Sequence, residues 1–478
     1  MAFEVPILRL GRDYASLDLR EAGCPRTGGL LARVGLANPG LVRRDAREAA
    51  SAAAALRSMP TAERIARCEA AAAIFAEAAL PVTAGGPAVP FDEYLAQVSA
   101  TTGLPLTLCR EHAGKLERAL SGMGRIVCGL TRGLAPEHLD RMVGEERGVP
   151  VAFHPTTDTL AVLLPSNAPG VNALWLPALA LGVPVALKPG QADPWTPLRL
   201  ARALMAAGLP AAAFSLYPGE HDAGQALLDA HARAMVFGDA ATVSALAGRP
   251  GIQAHGPGWS KVLLGDDAVA DWPELLDMLE TSVVSGAGRS CINASTIVLP
   301  RDADALADAL ARRLAAITPR AFDDPGARLA GFVDPRLPEA IDDAIARALA
   351  TPGAEDVTAR HRPGPRLVTA HGQRFLLPTV VRCHDPEHPL ARQEYLFPFV
   401  AVVEVPTARA PAWLGPTLSL TLVTADAELV LAIARRPEID RLNLGRVPTS
   451  RVDHGQPHQG NLFELLWRRR ALQREVVA

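Results

Sequence analysis

PSNAPGVNALWLPALALGVPVALKPG, residues 165–190, decides the reading of this chain. The apolar run LAVLL ends just before Asn167, and the apolar run PVAL ends at Lys188. Between them, VNALWLPALALG is cut by Pro177, Gly182 and Pro184, which predicts a helix followed by a strand rather than one long span through a membrane. Two short strands joined by a helical crossover form the unit of a parallel sheet, and ligands of such sheets bind at the carboxyl ends of the strands. Asn167 and Lys188 are the polar residues at those ends.

Working outward, the same alternation continues through PLRLARALMAAG, AFSLYPG, AGQALLDAHA and AMVFG, so a parallel sheet with crossover helices is expected from Thr159 onward. The region before it reads as mainly helical, over 45–82 with a break at Pro60 and again from Phe91 to about Leu130. A second α/β series begins near Trp272, with a helix through PELLDMLETSVVSG, a strand INASTIVLP, helices from Asp302 and Pro338, and strands LLPTVVRC, FVAVVEV and LSLTLVT. The segment GRVPTSRVDHGQPHQG then leads to a closing helical pattern, NLFELLWRRRALQREVV.

The chain has 478 residues, 49% apolar and 21% charged, with a formal net charge of -3. That length suggests about three compact modules. The interspersed charges exclude a nucleic-acid face and a polybasic lipid-binding tract, and leave a small molecule as the expected partner. The first residues, MAFEVPILRLGRDY, lack the succession of basic, apolar and small residues that marks a secretory leader. Six cysteines are scattered without CxxC pairs or neighbouring histidines, which suggests neither a metal site nor a disulfide framework and fits a reducing cytoplasm. Cys24, Cys68, Cys109, Cys128 and Cys383 read as small buried apolar residues. The dinucleotide fingerprint GxGxxG is absent.

With these residues in view, the chain resembles the aldehyde dehydrogenase superfamily, whose members carry a proline-x-asparagine turn, a long helix and a strand ending in lysine-proline in this order. Phe237, Gly238 and Asp239 stand in the place of the family's phenylalanine-threonine-glycine-serine turn beside the cofactor. GAGRSCINASTIVLP (286–300) is similar to its glycine-glutamine-x-cysteine segment, with Cys291 matching the catalytic cysteine. LLPTV (376–380) and Glu394 with Pro398 in QEYLFPFV resemble the proline-threonine strand and the glutamate-x-phenylalanine-glycine-proline motif. The order and spacing hold from roughly 45 to 445.

The resemblance implies two Rossmann-like parallel-sheet lobes with a small arm: a nucleotide-binding domain at 1–132 and 158–271, a catalytic domain at 272–444, and bridging or oligomerisation segments at 133–157 and 445–478. It implies NAD or NADP as cofactor, bound near Lys188, Gln191, Gly238, Asp239 and Glu394, with Glu394 receiving the nicotinamide ribose hydroxyls. Cys291 would carry the acyl group as a thioester, and Asn167 with the Cys291 N–H would face the oxyanion. The particle is expected to be a homodimer or a dimer of dimers.

Departures from the pattern steer the expected reaction. Where hydrolytic members carry glutamate-leucine-glycine-glycine-lysine, this chain reads HGPGWSK (255–261), and no acid occurs between Arg249 and Leu264. Gly-Pro-Gly there is similar to the CoA-acylating aldehyde dehydrogenases and acyl-CoA reductases. The expectation is therefore an interconversion of aldehyde and acyl-CoA with coenzyme A as co-substrate, the two glycines leaving room for its pantetheine arm. The alternatives are hydrolytic oxidation to a carboxylic acid, with His255 as a candidate base, and a fold retained without turnover. Trp175, Trp259 and Ile292 are candidates for the substrate wall. Gln191, where many NAD-preferring members have glutamate, removes a charge that would repel a 2′-phosphate. The arginines 468–470 read as a solvated helix face.

Overall fold

The computed structural model describes residues 2–246 and 248–473. Two seven-stranded sheets dominate it. In the first, an N-terminal hairpin of β1 (Ile7–Arg9) and β2 (Arg12–Tyr14) adds antiparallel strands to a parallel set: β3 (Leu160–Leu163), β4 (Val185–Lys188), β5 (Phe214–Leu216), β6 (Arg233–Phe237) and β7 (Ile252–His255). The spatial order is β7-β6-β3-β4-β5-β1-β2. The chain thus leaves β3 in one direction and returns to its other side at β6, which opens a crevice above the carboxyl ends of β3 and β6. Lys188 pairs in register with Leu163 at that edge.

The second sheet contains β8 (Ser260–Leu264), β9 (Ala294–Leu299), β10 (Thr379–Cys383), β11 (Phe399–Glu404), β12 (Thr417–Val423) and β13 (Ile439–Leu444), all parallel, in the order β10-β11-β9-β8-β12-β13, with Ala354–Asp356 as an antiparallel edge. Its strands are apolar on both faces because helices cover both: Val262, Ile297 and Val402 point into one core, Leu263, Val298 and Val403 into the other. One larger core joins the first sheet, the N-terminal helices and the arm.

The helical reading before residue 132 holds, with the breaks placed by backbone chemistry. α1 (Thr61–Glu77), α2 (Phe91–Thr102) and α3 (Leu106–Ser121) are separate helices. α2 stops at Gly103, whose φ of +76° suits glycine and lets its N–H close on the Ser99 carbonyl. The crossovers α4 (Trp195–Ala206) and α5 (His221–Ala230) lie where expected. No described helix is long and apolar enough to cross a membrane.

Four expectations change. β8 was expected inside the nucleotide-binding segment 158–271, yet it hydrogen-bonds to β9 and β12 at the centre of the second sheet, so that lobe begins ahead of Trp272. A strand buried on both faces carries no mark of which sheet it joins. The helix expected within VNALWLPALALG (171–182) is instead a 3-10 segment, Pro169–Leu174, and a short helix, Pro177–Ala180, divided by the prolines. The closing helix is only Leu462–Leu466. Trp467–Arg470 is a strand paired antiparallel with Val149–Pro155, itself paired with Val143–Glu146. The arginines are therefore an exposed strand edge, and Trp467, buried with its indole N–H 3.1 Å from the Leu181 carbonyl, anchors it. Residues 474–478 of the expected bridging segment lie outside the described residues. Of the cysteines read as buried, Cys68, Cys109 and Cys383 are, Cys24 is half-buried and Cys128 is exposed.

Gly103 sits at the seam between the lobes, where its carbonyl accepts from Gly331 N–H at 3.0 Å and a Cβ would overlap the Gly331 carbonyl. Gly103→Ala should lower stability by about 2–5 kcal/mol, summing a left-handed alanine and an overpacked contact, measured as the shift in urea unfolding.

Candidate active site

The carboxyl ends of the first sheet face the amino ends of the second. From the first come Pro165–Asn167 after β3, Lys188 after β4, Gly238 and Asp239 after β6, and His255 ending β7. From the second come Trp259 before β8, Cys291 before β9 and Glu394 before β11.

Cys291 is delivered by a strained turn. After α7 (Leu276–Val284), Gly286, Ala287 and Gly288 take φ values of +60°, +59° and +68° in succession. Three left-handed residues in a row need a reason to persist, and an alanine among them costs of order 1–2 kcal/mol. The reason is Arg289. Its buried guanidinium donates to the carbonyls of Thr102 at 2.9 Å, Gly331 at 2.7 Å and Ala330 at 3.3 Å, and its carbon lies 4.9 Å from the centre of the Phe332 ring. Its own carbonyl accepts from Asn167 Nδ2 at 2.6 Å. Asn167 and the Cys291 turn are thus tied directly together, and one amide N–H of Asn167 remains free of that bond.

The other side of Cys291 is the 256–261 segment. A Cβ on Gly258 would collide with the Cys291 carbonyl, and one on Gly256 would meet Val243 at 2.8 Å. These glycines are needed for close protein packing. The side-chain volume that each glycine leaves is taken by protein, by the Cys291 backbone at Gly258 and by the Val243 side chain at Gly256. Ser260 Oγ donates to the Cys291 carbonyl at 2.8 Å and accepts from Ser419 N–H at 3.2 Å, which ties the two turns to β12.

Glu394 enters the same space. Its Oε2 accepts from the Trp259 N–H at 2.6 Å, with the Gly258 N–H also directed at the carboxylate. Burial pushes the carboxyl up to about 7. The Cys291 thiol is pushed up to about 12, first by burial and then by the Glu394 charge. The expected exposed turn is therefore only half-exposed, and its sulfur rests as a thiol. Lys261, whose role the sequence did not suggest, spends its amine on Trp259 O at 2.7 Å, Thr417 Oγ1 at 2.9 Å and Pro416 O at 3.2 Å. Burial lowers it to about 7.

His255 stacks on Phe237, with ring centres 4.5 Å apart, and its Nδ1 lies 2.9 Å from Gln459 Oε1. That contact places the ring proton on Nδ1 and leaves Nε2 without a hydrogen-bond partner. Burial lowers its pKa to about 4, so it is a neutral and weak base. It borders a small cavity with Met235, Gln253, His454, His458 and Leu462. Trp175 is fully buried and bonded to Asn172, a core residue rather than a substrate wall.

Lys188 lies half-buried with its stem against the first turn of α5, where a Cβ on Gly224 would meet its Cδ at 3.2 Å. It forms no ion pair among the described residues, and burial lowers its basicity. Gln191 Nε2 donates to Glu220 Oε2 at 3.1 Å, so the carboxylate absent at 191 returns from Glu220 at the start of α5. Asp239 accepts from Thr242 N–H at 2.8 Å and caps α6 (Ala240–Leu246), while a Cβ on Gly238 would strike Thr242.

Residues 15–461 match the sequence profile of the aldehyde dehydrogenase family. The chain belongs to that family. It is an oxidoreductase acting on aldehydes with NAD(P). It is 28% identical over 350 residues to an N-succinylglutamate 5-semialdehyde dehydrogenase of Vibrio cholerae serotype O1, covering 70% of this chain and 69% of that protein. Over a shorter stretch of 72 residues, 14% of each chain, it is 46% identical to a phenylacetaldehyde dehydrogenase of Pseudomonas fluorescens. The fold is also that of a P. syringae indole-3-acetaldehyde dehydrogenase solved in complex with NAD+ and IAA, with a TM-score of 0.80 at 19% identity, covering 98% of this chain and 96% of that one.

A thiol held neutral by burial and by a neighbouring carboxylate reacts through its small thiolate fraction, which grows as pH rises toward 12. Iodoacetamide alkylation of Cys291, followed by peptide mass spectrometry, should therefore be slow at pH 7 and accelerate continuously to pH 10. Glu394→Gln, which removes the charge opposing the thiolate, should speed it at every pH in that range.

Proposed function

We propose that this aldehyde dehydrogenase oxidises a small-molecule aldehyde to its carboxylic acid, with NAD or NADP as acceptor, through a thioester on Cys291 that water cleaves. The observation that carries this reading is the contact of Gly258 with the Cys291 carbonyl. The glycines whose small size favoured coenzyme A are consumed by packing, which leaves the family's aldehyde oxidation without that departure. The name of the Vibrio relative, a dehydrogenase of a semialdehyde, supports the same chemistry.

The chain's residues divide the work as follows. The Cys291 thiolate, formed as its thiol loses its proton to solvent, adds to the aldehyde carbon, and the oxyanion formed lies between the free N–H of Asn167 and the backbone N–H of Cys291. A donor so placed contributes about 3 kcal/mol to the barrier. The crevice at the β3/β6 switch point fits a dinucleotide: a half-buried Lys188 amine, in no ion pair among the described residues, offers a cation for ribose or phosphate, flanked by Gln191 and by the turn at Gly238 and Asp239. When bound, the nicotinamide accepts the two electrons of the oxidation. The Arg289 clamp keeps Asn167 and Cys291 at constant separation while substrate and product exchange.

A panel of aldehydes incubated with NAD or NADP in ¹⁸O-water and without coenzyme A should yield labelled carboxylic acid at a steady rate, and Cys291→Ala should retain less than about a thousandth of it. One turnover that stalls until coenzyme A is added, with acyl-CoA as product, would instead restore the acylating reaction.

We further propose that the arm joins two copies. Its three-stranded sheet ends at the exposed edge strand Trp467–Arg470, and Val149 in the central strand lies open to solvent. Light scattering at micromolar concentration should return at least twice the 50.4 kDa chain mass, and a mass of one chain would remove the idea.

A further inference from the structure

The hydrolytic reading leaves one proton without a carrier. Water that attacks a thioester must lose a proton, the 249–264 stretch contains no acid, and His255 is a weak base whose Nδ1 proton is engaged with Gln459. We propose that Glu394 is the base: its carboxylate takes the proton of the water that cleaves the Cys291 thioester. This rests on the hydrolytic reading and adds a residue to it.

Position comes first. Glu394 accepts from the N–H of Trp259, and Gly258, the residue before it, is packed against Cys291, where a Cβ would meet the Cys291 Cβ at 3.1 Å. The carboxyl is therefore held across one glycine from the reacting group, near enough that its charge acts on the thiol. It enters from the loop before β11 into the space beside the segment that lacks an acid.

Availability is the second point. No ion pair neutralises Glu394 among the described residues, because Lys261, the cation in the same pocket, has all three N–H bonds aimed at Trp259, Pro416 and Thr417. The backbone N–H of Trp259 fixes the carboxylate without protonating it, and the residue is half-buried rather than sealed off. A carboxyl raised toward neutrality by burial is a stronger base than one in water. The ionisable groups facing it are Cys291 and Lys261, with Arg392 acting on Lys261.

The step balances without another reactant. The water oxygen bonds to the thioester carbon as one of its protons passes to Glu394, and the carbonyl electron pair moves to the oxygen facing Asn167. On collapse the carbon–sulfur bond breaks, the sulfur leaves with its electron pair, and the proton held by Glu394 returns to it. The products are a carboxylic acid and the Cys291 thiol.

p-Nitrophenyl acetate tests this without the cofactor, since it acylates a reactive cysteine and releases a coloured phenolate. In the wild-type enzyme a burst reports acylation and the following steady rate reports deacylation by water. Glu394→Gln should give the same burst amplitude, no slower a burst, and a steady rate lower by about a hundredfold or more, with acetyl-enzyme accumulating in the mass spectrum. The wild-type steady rate should rise with pH through about 7, and that dependence should vanish in the variant. A damaged site would lower burst and steady rate together. Two results overturn the proposal: a variant that deacylates as fast as wild type, or one whose only defect is weaker NADH binding in a fluorescence titration, which makes Glu394 a ribose ligand. If the wild-type acetyl-enzyme persists in water and only coenzyme A releases it, the hydrolytic reading falls with it.

Discussion

The buried guanidinium of Arg289 is the interaction on which the arrangement depends. A single planar cation gathers carbonyls from Thr102, at the end of a helix of the first lobe, and from Ala330 and Gly331 in the second, while Asn167 takes hold of the carbonyl of the same residue. Burying a charge costs several kcal/mol unless its donors are met, and here three carbonyls and an aromatic face meet them. Burial lowers its pKa only to about 10, so it remains charged near neutral pH. The return is positional, because the lobes and both halves of the candidate site share one anchoring group.

That anchor explains how the Gly286–Gly288 turn persists. Left-handed backbone at three consecutive residues is sustained where both ends are held, by α7 on one side and by the clamp on the other. Gly288 also allows the approach of Pro398, whose N would lie under 2.5 Å from any Cβ placed there. Cys291, the Glu394 loop and the 256–261 segment therefore converge through backbone contacts, with few side-chain contacts to wander.

The electrostatics of the site follow from burial more than from pairing. Cys291 and Glu394 are pushed up, Lys261 and His255 down, and in each burial is the largest cause. A half-buried pocket of this kind keeps its sulfur protonated at rest and raises the basicity of its carboxylate. The carboxylate gains a base strength near neutrality that an exposed glutamate lacks.

The sequence by itself determined the architecture and named the candidate site residues. Alternation of apolar runs with amphipathic stretches reports strands and crossover helices because those periods are local, and the polar residues ending β3 and β4 are visible as interruptions of apolar runs. The Asn167–Cys291 pairing was legible through the family pattern. Tertiary structure decided what local pattern leaves open. β8 reads as a buried strand and joins the second sheet only through its neighbours β9 and β12. WRRR became a strand because Val149–Pro155 offers it an edge, against its helical composition. Gly256 and Gly258 read as open space and proved to be points of contact, with the Val243 side chain and the Cys291 backbone, since a glycine looks the same in sequence whether a ligand or another part of the protein takes the volume of its missing side chain. Glu394 and Gly258 are separated by 136 positions, and their meeting at Cys291 is a property of sheet order, which no short stretch of sequence encodes.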